Sequence, residues 1–179
     1  MGVGPIHVPV GAEAHRWLQC VGEADYDALK SADLQSRVSS SWRLRVRLIA
    51  ENERGAPLRD SGLLWLSSHV LTMTAEVRDA VLPVLAGQGV FAPLRSDDGD
   101  FWMFVPDLCD ALNEARSCVT RFSSGRVMYV RRYDFHPDRL VNRAAFRIPQ
   151  ERYLFCDQRV VDALSGESGV GFRQVWPAP

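Results

Sequence analysis

Residues 42–49, Trp-Arg-Leu-Arg-Val-Arg-Leu-Ile, put Trp42, Leu44, Val46 and Leu48 on one parity and Arg43, Arg45 and Arg47 on the other. A period of two marks a strand with one buried face; a helix would spread those arginines around its circumference. The basic row reads as a solvated outer face. Such a strand is marginal alone, so the rest of the chain must supply partners. Apolar runs at 63–71, 101–105, 127–133, 140–148, 152–156 and 170–176 are the candidates, and Ser123-Ser124-Gly125 reads as a hairpin turn into the strand at Val127.

Helices punctuate these strands. Thr74 is placed to cap a helix over 75–86, with Glu76 in its first turn and Val77, Val81 and Leu85 as its buried stripe, and Pro83 bends or ends it. Pro106 and Asp107 open a second helix that reaches Ala115, and Asp157 caps a third that runs to Leu164. Each carries an Asp-Ala-apolar triplet, a pattern too short to establish duplication. Consecutive strands with occasional helices predict an α+β fold: a mostly antiparallel sheet with a few helices packed against it. Residues 1–40 are patterned weakly, with 14–18 and 26–34 as short helices or turns. They read as an N-terminal extension or subregion, left open as core or arm, and 41–179 as the α+β domain.

The segment Gly166-Glu167-Ser168-Gly169-Val170-Gly171 opens like a phosphate-binding loop, but the Lys and Ser/Thr that such a loop needs next are replaced by Phe172 and Arg173. Phe cannot neutralise phosphate and Arg offers no oxygen to Mg²⁺, so the segment reads as a helix stop and a turn into the last strand. The histidines His7, His15, His69 and His136 are isolated, and the cysteines Cys20, Cys109, Cys118 and Cys156 form no C-x-x-C pair, so neither a metal nor a cofactor is expected. The acidic run Asp97, Asp98 and Asp100 lacks EF-hand spacing and reads as a solvated turn about Gly99.

With 46% hydrophobic and 24% charged residues and a net charge of −1, the 179 residues suit a soluble globular chain with no nucleic-acid or membrane partner. One asymmetry stands out. Residues 97–114 hold six acids and no base, whereas 116–147 hold eight arginines against Asp134 and Asp138. The blocks either pair within the fold or give the surface a polarity that steers a charged partner.

The segments FWMFVPDLCDALNEARS, AAFRIPQERYLFCDQRVVDAL and GVGFRQVW resemble the closing region of a bacterial immunity-protein family, the eleventh of the named Imm families, associated with polymorphic toxin systems and typified by myxobacterial proteins. The resemblance spans about residues 63–176. It implies a cytoplasmic, non-catalytic antidote that binds a cognate toxin encoded by a neighbouring gene, with Gly169, Gly171 and Phe172 as the family's terminal turn and strand. Neutralising a few escaped toxin molecules calls for nanomolar affinity, about −12 kcal/mol, and hence for aromatic or arginine anchors in a charged rim. The candidates are Asp97, Asp98 and Asp100 with Trp102, and the pair Arg131-Arg132. Two other readings stay open: a small hydrolase using Cys118 or Cys156 with His136, and a non-catalytic scaffold that forms a homo-oligomer through the edge strand at 170–176.

Overall fold

The parity at 43–48 survives folding. Leu44 and Val46 are buried and Arg45 and Arg47 exposed in the computed structural model, which describes residues 3–31, 34–39 and 43–177. Trp42, assigned to the same buried face from sequence, lies outside the described residues.

Twelve strands and four helices are present among the described residues. In chain order they are β1 (Ile6–Gly11), β2 (Trp17–Cys20), α1 (Glu23–Leu29), α2 (Leu34–Ser39), β3 (Val46–Ile49), β4 (Leu63–Leu64), β5 (Leu71–Thr74), α3 (Ala75–Leu85), β6 (Gly89–Pro93), β7 (Phe101–Pro106), β8 (Cys118–Arg121), β9 (Val127–Arg132), β10 (Ala145–Arg147), β11 (Leu154–Asp157), α4 (Gln158–Ala163) and β12 (Val170–Trp176). One four-stranded sheet runs β10-β11-β1-β12 and another β4-β5-β7-β6, while β2-β3 and β8-β9 are two-stranded; every named pairing is antiparallel. The fold is α+β and sheet-dominant, as the sequence predicts. Among the described residues no helix is long and apolar enough to cross a membrane.

Alternation along the strands layers the core. On β7, Phe101, Met103 and Val105 face a cluster with Leu18, Leu44 and Val46, while Phe104 faces another with Leu71, Val81 and Leu85 of α3. Both faces of this strand are covered, which explains its uninterrupted Phe-Trp-Met-Phe-Val run. The first sheet divides the second cluster from a third in the same way. Leu154 and Cys156 point towards α3 and α4, whereas Phe155, Phe146, Ile6 and Val8 point towards Phe135. Phe135 meets Phe146, Phe155 and Trp176 edge-on, with centroids 5.5–6.0 Å apart, a geometry that adds to simple area burial.

Strand and helix follow without a loop at two places. Asp157 caps α4 by accepting from the Arg159 and Val160 N–H groups, as expected. Thr74 begins α3 but forms no side-chain cap; its hydroxyl engages Glu76 instead. Pro83 sits in the last turn of α3, whose buried stripe is Val77, Val81 and Leu85 as read from the sequence.

Four expectations change. The helix placed from Pro106 to Ala115 is absent. Backbone groups there bond to distant segments: Cys109 N–H to Arg147 O (2.7 Å), Asn113 N–H to Asp134 O (2.8 Å), and Ala111 O accepts from His136 N–H (2.8 Å). The strand placed over 140–148 shrinks to Ala145–Arg147 behind a 3-10 turn at Pro137–Leu140. Residues 14–18 give no helix, because Trp17 begins β2. The run placed over 63–71 splits into β4 and β5 around a turn at 68–69. The short helix read within 26–34 is present as α1, which begins earlier at Glu23. Whether the N-terminus is core or arm is also answered for residues 6–20. Strand β1 is an inner strand held between β11 and β12, and β2 pairs with β3.

The glycine-rich segment near the C-terminus is closed by its own carboxylate. Glu167 Oε2 accepts from Gly62 N–H (2.7 Å), Leu63 N–H (3.2 Å) and the Ser61 hydroxyl (3.0 Å). Gly169 lets this turn lie against β4, since a Cβ there would sit 2.1 Å from the Leu63 carbonyl oxygen.

Candidate functional site

The two acidic and basic blocks meet inside the fold. Arg121 pairs with Glu114, Arg139 with Asp110 (3.0 Å) and Arg143 with Asp107 (3.6 Å), each joining one block to the other. Arg116 pairs with Asp134 (3.4 Å) inside the basic block. Much of the polarity legible in the sequence is therefore cancelled locally, and what remains is set by the groups outside these pairs.

The anchors proposed from sequence separate. Asp97 and Asp100 are exposed, and Asp98 fastens its turn to β3 by accepting from Leu48 N–H (2.7 Å). Trp102 is half-buried, carries the Arg78 guanidinium 4.0 Å above its ring and packs against the second core cluster. Arg131 and Arg132 are both exposed on β9. Arg131 lies on the Tyr129 phenol, donating at 2.9 and 3.2 Å, while Arg132 borders a depression with Arg116, Tyr133 and Trp176. Asp98 and Asp100 border another small pocket that shares no residue with it, so the two sets do not come together. The thiol–imidazole candidates sit in different settings. Cys156 is fully buried, its thiol pushed well up by desolvation, and it donates to the His7 carbonyl as a core thiol does. Cys118 is exposed on β8, and His136 sits beyond β9, where its backbone N–H bonds to Ala111 O.

A larger concavity, of about 800 Å³, lies between α1, the loop before β5, the β8-β9 hairpin and the loop 147–153. Among the described residues its cations are Lys30, Arg126, Arg147 and Arg152, and its acid is Glu151. That acid is occupied. One oxygen accepts from Val130 N–H (2.5 Å) and the other from the Tyr133 hydroxyl, so Glu151 pins the hairpin while keeping its negative charge. Burial and Glu151 together push the Tyr133 phenol up, keeping it a donor.

Leu108, Phe122, Met128, Tyr129 and Tyr153 also line the groove, and each is 38–54% exposed. Half of the large exposed apolar side chains among the described residues thus converge on one hollow, whereas scattered single ones would need no explanation. Arginine stacks on this rim: the Arg126 guanidinium stands 5.0 Å from the Phe122 ring centre and that of Arg131 5.5 Å from the Tyr129 ring. On the floor, burial pushes the His69 imidazole down to about 4, and Arg152, Arg147 and Lys30 add to the shift. Neutral at pH 7, His69 keeps Nδ1 2.5 Å from the Ser67 hydroxyl.

Sequence reading missed this groove. Val127-Met128-Tyr129-Val130 looks like a buried run, yet only Val130 of the four is buried. The signal was there in Arg126, Arg131 and Arg132 around it, since a hairpin so flanked cannot bury both faces. No protein-family profile matches the chain, and no curated protein gives a significant match.

Proposed function

We propose that the chain is an immunity protein: a cytoplasmic, non-catalytic antidote that neutralises a cognate bacterial toxin domain by stoichiometric binding. The motif resemblance across residues 63–176 supplies the kind of partner. The observation that carries the binding role is the groove, where cations and half-exposed aromatic side chains meet on a pinned hairpin. Tyrosine and arginine are the residue types that dominate interface energetics, and here they stand pre-stacked. Less side-chain entropy is then lost on docking.

The test is to mix the purified chain with the product of the neighbouring gene and measure mass by light scattering. A stable complex that persists at nanomolar concentration and abolishes the partner's toxic activity supports the reading. A partner without toxicity, or a toxic one that stays free, defeats it.

A further inference from the structure

Arg147 is 7% exposed yet reaches the floor of the groove. Its Nε donates to the Pro106 carbonyl (2.9 Å), and among the described residues no carboxylate stands within ion-pairing distance of its guanidinium. Asp107 acts on it only at longer range, and is itself held by Arg143 (3.6 Å) and the Gln35 amide (2.5 Å). A cation taken out of water without a paired anion is costly, and its guanidinium stays charged at any physiological pH. Arg152 and Lys30 add positive charge around it, and the Glu151 oxygens are engaged by the Val130 N–H and the Tyr133 hydroxyl.

From this we infer that the groove binds an acidic polypeptide segment of the partner: a carboxylate seats on Arg147 with Arg152, and an adjacent apolar side chain lies against Leu108, Met128 and Tyr153. Charge complementarity selects the acid, because the described lining holds four cations against one carboxylate, Glu151, whose oxygens already accept from the hairpin. The exposed aliphatic side chains of Leu108 and Met128, set among the rings, favour a polypeptide over a nucleic acid, whose bases would stack on the rings and gain little from those two. The identity of the partner as a toxin rests on the reading above; the chemistry of the segment does not.

The probe is a fluorescent dodecapeptide of repeated Glu-Glu-Leu-Phe, with a Lys-for-Glu version and a thymidine dodecanucleotide alongside, followed by anisotropy on the full chain at low salt. The acidic peptide should bind, the lysine version should not, and the exposed double variant Arg126→Glu/Arg152→Glu should weaken binding by about tenfold or more, the scale expected of charge reversal in a groove. Arg54→Glu, in an exposed loop outside the groove, should leave it unchanged. Arg147→Met, checked for an intact thermal transition, should lose the acidic peptide as well. The inference is overturned if the acidic peptide fails to bind, if both peptides bind alike, or if the oligonucleotide binds through the same arginines. Self-association of the wild type that disappears in the double variant would make the occupant a second copy and overturn it too. Neutralisation of the toxin without peptide binding would discard this site and keep the antidote; peptide binding without neutralisation would do the reverse.

Discussion

Glu167 shows how much one side chain can determine. It is the carboxylate that takes up two backbone N–H groups of the Gly62–Leu63 turn and so ties the start of β12 to β4. Glu167→Ala leaves those donors without their acceptor and should cost about 2 kcal/mol, the value of a charge-assisted bond plus the desolvation left behind. A urea midpoint unchanged from wild type would contradict this. His69 carries a pH dependence. Its charged form is disfavoured in the fold first by burial, then by Arg152, Arg147 and Lys30, which lowers it from 6.5 to about 4. The unfolded chain therefore takes up a proton that the folded chain refuses, and stability present above pH 6.5 is lost as pH falls towards 4. His69→Gln should flatten that slope between pH 7 and 5 in denaturant titrations; parallel curves for the two proteins would refute the assignment. At this scale the sequence was legible where one residue acts on its own neighbours, as Asp157 does in capping α4. It was silent where a residue acts across the chain. Nothing near Glu167 marks Gly62 as its partner, more than a hundred positions away.

The elements were legible wherever periodicity and burial agree. The stripe of α3, the doubly buried run of β7, the Gly125 hairpin turn and the extent of β12 all follow from local pattern. The failure at 107–115 has a specific cause. Asp-Leu-Cys-Asp-Ala-Leu-Asn-Glu-Ala has helical propensity, but its backbone bonds to β10 and to 134–136, and those tertiary bonds override a preference of a few tenths of a kcal/mol per residue. The β8-β9 hairpin is the element the proposed binding role depends on most. A two-stranded ribbon is marginal by itself, and Glu151 supplies its fastening at Val130 and Tyr133. In Glu151→Ala, amides of 118–132 should exchange with deuterium markedly faster while those of β7 and β11 keep their protection. Equal protection of the hairpin in both proteins would show that Glu151 does not hold it.

Across the whole molecule, two sheets separate three apolar clusters, and the charge blocks partly neutralise each other through three ion pairs. Exposed pairs of this kind contribute less than about 1 kcal/mol each to folding, so their arrangement matters more for what stays unpaired. Among what stays unpaired are the groove arginines Arg126, Arg147 and Arg152. Sequence showed that arginines abound after residue 116, but only the fold shows that Arg126, Arg147 and Arg152 converge with Lys30, from a different element, around one occupied acid. The most direct measurement of the antidote reading is growth of cells that express the neighbouring gene's product with and without this chain. Wild-type chain should restore growth, while Arg126→Glu/Arg152→Glu, folded and equally abundant, should restore it poorly. Continued growth arrest with wild-type chain present, or no toxicity to relieve, would contradict the account.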